Sequence, residues 1–262
     1  MADSDVLIVE RRGTVALLRM NRPDARNAVN EALRHALIAA IENAAADETV
    51  RALVLTGEGS AFSAGGDIAA MKARLERDPG AVAAQGWLHQ RRNTHRLVTL
   101  LASIEKPVIA AVNGAAAGLG ADLAIACDLV IASDRAKFAY SYILRGLIPD
   151  GGGMFLLPRR IGLARAKNLI FTGRTVLVHE ALAIGLADEI AAPDVLVDTA
   201  VERAAAYGAG SPVALGLAKS ILNHSHETSL DDVLSAGAAA QGICYASSEH
   251  RQSVTDFLAG KR

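Results

Sequence analysis

Two apolar runs, Val50–Thr56 and Val108–Val112, each empty into a glycine-rich loop and then into a helical pattern. This repeat leaves few folds open. The first run alternates and then turns fully apolar, and the second is apolar throughout, as strands buried on both faces are. The loops run from Gly57 to Asp67 and from Asn113 to Asp122. The second passes into a helix through Leu123 to Cys127, and Leu129–Ala132 reads as a further strand. Parallel neighbours need a crossover of a dozen or more residues, so strand, loop, helix, strand at this spacing predicts an α/β fold with a parallel sheet.

The flanking segments extend this pattern. Val6–Val9 and Thr14–Met20 around Arg11-Arg12-Gly13 read as a hairpin, and Asn21-Arg22-Pro23-Asp24 breaks it. Asn30 caps a helix with Leu33, Leu37, Ile41 and Ala44 on one face. One helix follows Asp67, and a longer one carries Leu97, Leu101 and Ile104 towards Lys106-Pro107. From Gly162 onward the pattern is helical apart from a short apolar piece near Ile190.

Composition excludes several functions. Of the 262 residues 51% are hydrophobic but only 4% aromatic, so the core is one of Ala, Val, Leu and Ile. The formal charge of −1 offers no basic excess for phosphate neutralisation, which argues against nucleic acid. Arg91, Arg92 and Arg96 read as a solvated helix face. Cys127 and Cys244 have no metal-ligand spacing, no metal site is expected, and Cys127 reads as a small core residue in a reducing compartment. Met1–Asp5 is polar and acidic, without a signal-peptide pattern. The longest uncharged stretch, Pro107 to Ala121, is about 15 residues against the roughly 20 a bilayer span needs. A cytoplasmic protein without membrane contact is expected.

The chemistry resides in the two glycine loops. Phe62-Ser63-Ala64-Gly65-Gly66-Asp67-Ile68 and Asn113-Gly114-Ala115-Ala116-Ala117-Gly118-Leu119-Gly120-Ala121-Asp122 nearly lack side chains, so a ligand can reach the backbone. Each opens a helix, whose first N–H groups are free donors with positive potential. One such loop could be a tight turn; two of matching architecture suggest a two-donor oxyanion hole. Gly118-Leu119-Gly120 begins a dinucleotide fingerprint, but Leu123 stands at its third glycine. No glycine loop ends in Gly-Lys-Ser/Thr, His179-Glu180 fails as a zinc motif at Ala183, and Ser103 to Lys106 lacks the companions of a serine-lysine hydrolase.

Asn21-Arg22-Pro23 with Arg26-Asn27-Ala28, the Phe62–Ile68 loop and Lys106 to Gly114 together resemble the crotonase superfamily, the enoyl-CoA hydratase/isomerase family. Cys127 to Ser133, Gly146-Leu-Ile-Pro-Asp-Gly-Gly152 and Leu157-Pro158-Arg159 continue the match, from about Val6 to Phe257. The resemblance implies a right-handed spiral of β-β-α turns over residues 1–200. A helical carboxy-terminal region, 201–262, would build homotrimers or dimers of trimers. It places the oxyanion donors at the backbone N–H groups of Gly66 and Leu119. The family usually has glycine at the second position, and Leu119 serves if its φ stays negative. Coenzyme A would be held by Arg26, Ala28, Ala64, Asp67 and Ile68. It enters as part of an acyl-CoA thioester substrate, and no separate cofactor is expected.

The acid/base residues depart from the hydratase pattern. The two positions that carry glutamate in the family's hydratases hold Asp122 and Tyr142. Asp122 can also be read as a first-turn helix acid, and Asp150, in Pro149-Asp150-Gly151, as a turn residue. The family's isomerases of ring-epoxide phenylacetyl-CoA, and some other double-bond isomerases, carry a catalytic aspartate at the Asp150 position, and Gly146–Pro158 looks most like that branch. The expected activity is therefore an enoyl-CoA isomerase with Asp150 as acid/base. A hydratase using Asp122 and Asp150, and a silent CoA-binding scaffold, stay open beside it. Trp87 and Leu88 read as part of a core helix, with an acyl-pocket wall as the other role.

Overall fold

The computed structural model describes residues 6–76 and 79–260, so Met1–Asp5 lies outside the described residues. Strand β1 (Leu7–Arg12) pairs antiparallel with β2 (Val15–Met20). Arg12 faces Val15, so the hairpin turns on Gly13-Thr14 and the first strand runs further than the sequence suggested. Helix α1 (Glu31–Ala46) follows, its cap Asn30 accepting from the Leu33 N–H at 2.9 Å. Leu33, Leu37, Ile41 and Ala44 are all buried on its inner face, as the periodicity required.

Two spiral turns then repeat one plan. Strand β3 (Ala52–Gly57) leads to the short β4 (Ala61–Ser63) and helices α2 (Ile68–Leu75), α3 (Pro79–Arg92) and α4 (Thr94–Ser103). Strand β5 (Val108–Val112) leads to β6 (Ala115–Ala117) and α5 (Leu119–Ala126). In the third turn β7 (Leu129–Ser133) and β8 (Lys137–Ala139) precede α6 (Gly153–Ile161) and α7 (Leu163–Thr172). Strand β9 (Thr175–Leu177), α8 (Val178–Ile184) and β10 (Glu189–Ala191) close the spiral. The long strands form one sheet, β1-β2-β3-β5-β7-β10, parallel from β2 onward; the short ones form a second, β4-β6-β8-β9. Each turn thus gives one strand to each sheet.

The second sheet corrects the sequence reading, which took Ala61–Ser63 and Ala115–Ala117 as loop. Three residues, mostly Ala, carry no legible alternation, and parallel pairing with strands from the neighbouring spiral turns makes them strands. Thr175–Leu177 likewise interrupts a region read as helix, held antiparallel to β8.

Helix α9 (Leu196–Gly208) covers one face of the large sheet, burying Leu196, Ala200 and Ala204 against Val54, Ile109 and Ile131. The boundary expected at residue 200 therefore falls inside a helix that belongs to the core. Helix α10 (Pro212–His224) is tied back by Lys219, whose ammonium donates to Asp128 Oδ2 at 2.7 Å. Helices α11 (Leu230–Ala246) and α12 (Ser248–Leu258) bury none of their residues. Among the described residues no helix is long and apolar enough to cross a membrane.

Candidate active site

The register of the second sheet positions the two glycine loops. Ser63 pairs with Ala116, and Gly66 and Leu119 each lie three residues further on, at equivalent places in successive spiral turns. Leu119 is the first residue of α5, where an N–H has no acceptor in its own helix. Leucine is tolerated because, among the described residues, positive φ outside glycine is confined to Arg26 and Asn27. At the other loop Val29 forms a parallel bridge with Gly66, and its N–H donates to Gly65 O at 2.7 Å. Such a bridge uses the peptide groups on either side of Gly66, so the N–H of Gly66 itself points away from Val29.

The loops touch where only glycine fits. A Cβ at Gly65 (φ 89°) would lie 3.1 Å from Leu119 N and 2.5 Å from Ala117 O. Gly66 and Leu119 line one cavity of about 480 Å³. Arg26, Ala28, Ala64, Asp67 and Ile68 line it too, so the structure gathers every residue expected to hold the thioester oxygen or coenzyme A.

Arg26 and Asn27 adopt left-handed φ of 49° and 55°, which non-glycine residues rarely do. The buried Asn27 side chain pins this turn, accepting from Arg22 N at 2.8 Å and donating to Glu58 O and Ala61 O at 2.9 and 2.8 Å. Arg26 O in turn accepts from Ala64 N at 2.8 Å. The Asp67 side chain is occupied: Oδ2 accepts from Arg22 at 2.9 Å and Oδ1 from Ala69 N at 2.9 Å. Partial burial would raise its pKa, but the Arg22 guanidinium and the Ala70 and Ala69 N–H groups outweigh this and lower it. What Asp67 offers a ligand is its backbone.

The carboxylates are arranged less simply. Asp122, one turn into α5, is fully buried. Its Oδ2 accepts from the Tyr142 hydroxyl at 2.6 Å, and Oδ1 has no hydrogen-bond partner in the protein. The Gly151–Gly153 segment encloses it, since a Cβ at Gly151 or Gly153 would meet a carboxylate oxygen at 2.6 or 2.3 Å. Burial pushes its pKa up to about 7; the Tyr142 hydrogen bond opposes this, the charge of Asp150 adds to it, and the Gly151 N–H opposes it. Burial next to this group raises the Tyr142 phenol far above its ordinary value.

Tyr142 lines the same cavity as Gly66 and Leu119, with its ring over Gly118. Asp150 is half-buried on a neighbouring cavity of about 780 Å³, and its Oδ2 accepts from Gln90 Nε2. The two carboxyls are thus near enough to feel each other's charge, but Asp150 does not share the lining of the donor cavity.

Of the other side chains, Arg96 and Cys127 fall where the sequence put them, and Trp87 and Leu88 do not. Trp87 and Leu88 are 62% and 44% exposed, so neither is a core residue; Arg91 stacks on the Trp87 ring at 5.3 Å. Arg96 pairs with Glu42 on the surface. Cys127 is buried, and burial pushes its thiol up to about 12, so it is an inert core residue. Ser141 and Arg145 line the donor cavity and were not singled out. Their signal was their place just after the third spiral turn, where the short helix Ile143–Arg145 follows Tyr142.

The family model for enoyl-CoA hydratase/isomerase matches residues 10–262. A short-chain-enoyl-CoA hydratase of Clostridium acetobutylicum is 35% identical over 260 residues, covering 98% of this chain and 95% of the relative. A 1,2-epoxyphenylacetyl-CoA isomerase of Escherichia coli is 36% identical over 245 residues, covering 94% and 92%. The crystal structure of an enoyl-CoA hydratase/isomerase from Cupriavidus metallidurans superposes with a TM-score of 0.90 at 33% identity, over 98% of this chain and 94% of that one. The chain belongs to the enoyl-CoA hydratase/isomerase family, within the crotonase superfamily. Its fold and its activity class, hydratase or isomerase on acyl-CoA, follow from that membership.

Proposed function

We propose that this protein is an enoyl-CoA isomerase that holds the thioester oxygen between the N–H groups of Gly66 and Leu119 and moves the proton with Asp150. One observation carries the preference for isomerisation. The two side chains at the hydratase glutamate positions, Asp122 and Tyr142, are bonded to each other at 2.6 Å, and Asp122 is sealed from solvent. Adding water needs a group to activate the water and a group to protonate carbon, and this arrangement provides no exposed pair of carboxylates. Moving a double bond needs one acid/base, because the proton leaves and returns.

The steps balance within the substrate. Asp150 takes a proton from the carbon next to the thioester, and the C–H electron pair passes into an enolate whose oxygen the two N–H groups stabilise. Each such donor contributes about 3–4 kcal/mol to the transition state. Asp150 then returns the proton two carbons away. Coenzyme A, anchored along Arg26, Ala28, Ala64, Asp67 and Ile68, belongs to the substrate; Arg26 and Arg145 supply positive charge at that cavity. No further cofactor is needed, and the reaction runs in the cytoplasm.

Asp150→Asn keeps the shape but cannot exchange a proton, so turnover of a 3-enoyl-CoA falls by roughly 10²–10⁴-fold. Asp122→Asn leaves isomerisation within a small factor. The raised pKa of Asp122 supports the second reading, a hydratase using both aspartates. Hydration of a trans-2-enoyl-CoA, followed as loss of its conjugated ultraviolet band and abolished by either substitution, would establish that reading instead.

A further inference from the structure

We infer that Gln90 is the positioning residue of the acid/base: clamped by Thr94, its amide aims the Asp150 carboxyl and serves it in both protonation states. The inference rests on the assignment of Asp150 just given.

Gln90 lies near the end of α3 and Thr94 opens α4, one helical turn later across the junction. The Thr94 side chain is 3% exposed, and its hydroxyl donates to Gln90 Oε1 at 2.7 Å. That bond turns the other end of the amide, Nε2, onto Asp150 Oδ2. The orientation is forced chemically as well, because an ionised carboxylate only accepts hydrogen bonds. Asp150 is anchored from its own side by its N–H on Ile148 O at 2.8 Å. The carboxyl is thus held between a tight turn and a side chain from a distant segment.

The neutrality of the partner matters. Arg159 and Arg160 line the same cavity as Asp150, but Arg159 is paired with Glu227 and Arg160 with Asp188. A cation bound to Asp150 would favour the ionised form alone. An amide has a donor end and an acceptor end, so a half-turn lets Oε1 accept from protonated Asp150 while Nε2 donates to the Thr94 hydroxyl. An acid/base that must take a proton and give it back needs such a partner. Asp122 and Tyr142 feel the charge of Asp150, and His95, His224, His226 and Glu227 line its cavity beside the two arginines; none of them is altered in the variants below.

The test is a set of pH–rate profiles on a 3-enoyl-CoA for wild type, Gln90→Leu, Gln90→Lys, Thr94→Val and Asp150→Asn. Losing a hydrogen bond to a charged group lowers kcat by about 10–100-fold in Gln90→Leu. KM stays nearly unchanged, so the loss falls on kcat. Gln90→Lys also loses turnover, and because its cation favours the ionised carboxylate the acid limb of its profile moves to lower pH; Thr94→Val shows a smaller loss of kcat than Gln90→Leu. A purely structural role would move stability and leave both the kcat of the folded enzyme and the limb in Gln90→Lys in place. Wild-type kcat and profile in Gln90→Leu, with Asp150→Asn inactive, overturn the positioning role and leave the catalytic assignment standing. Full activity in Asp150→Asn overturns the assignment itself. Should Gln90→Leu fail to fold, Gln90→Glu, of the same size, decides: loss of kcat at neutral pH supports the inference and retained kcat ends it.

Discussion

At Leu119 a side chain and a backbone group do separate work, and substitution can divide them. The side chain is buried, while the N–H is the proposed donor. Leu119→Ala removes packing alone. Leu119→Pro also removes the N–H, at the first position of a helix, where proline is tolerated. We expect Leu119→Pro to lose a further 10²–10³-fold in kcat relative to Leu119→Ala, the cost of one oxyanion donor. Equal kcat in the two variants would remove Leu119 from the oxyanion hole. Asp122 offers a test by stability. Its pKa rises from 3.8 to about 7 on folding, so between those values the folded chain keeps a proton that the unfolded chain has released. This contribution is complete below pH 4 and is lost as pH rises through 7. Asparagine does not titrate, so Asp122→Asn should gain about 3 kcal/mol relative to wild type between pH 5 and pH 8. Denaturant melts at the two pH values measure this, and a constant difference would mean that Asp122 is ionised in the folded state.

At the scale of elements, the candidate active site depends on contact between two loops from successive spiral turns. The Asn30 cap, the strands β3 and β5 and the inner face of α1 were legible in the sequence, because each is a local pattern of apolar residues or a capping side chain. The loops were legible as glycine-rich; that they interlock was not. Gly65→Ala tests the interlock, since the new methyl would collide with Ala117 O and strain a backbone at φ 89°. A displacement of about 1 Å between the donors is enough to cost 10²-fold in turnover. We expect that loss with the circular dichroism spectrum unchanged; wild-type kcat in Gly65→Ala would show that the loops move independently.

At the scale of the whole molecule, α11 and α12 stand apart from the core, with Phe257 and Leu258 81% and 80% exposed. Phe171, Leu163 and Leu144 add apolar surface on the spiral. Helices that bury nothing within their own chain gain stability by burying that surface against another copy. We propose that the protein assembles as a homotrimer or a dimer of trimers. Light scattering at micromolar concentration should give three or six times the chain mass, and Phe257→Asp with Leu258→Asp should reduce it. A stable wild-type monomer would refute the assembly.

The sequence by itself determined the alternation of strand, glycine loop and helix, and the family, and it singled out residues that the structure brings to one cavity. Those features reside in short contiguous motifs whose physics is local: apolar period, capping and backbone access. It could not reveal that α9 belongs to the core, that three-residue alanine-rich segments form a second sheet, or that Trp87 faces solvent. Each of these depends on partners far away in the chain. The tertiary structure alone decided how the carboxyls differ. Asp122 and Asp150 are each a short acid beside glycines in the sequence. Burial under Gly151 and Gly153 and a bond from Tyr142 close off the first, and a turn held by Gln90 leaves the second half-exposed at a cavity wall. Desolvation and hydrogen bonding set what a carboxyl can do, and both are properties of its surroundings in space.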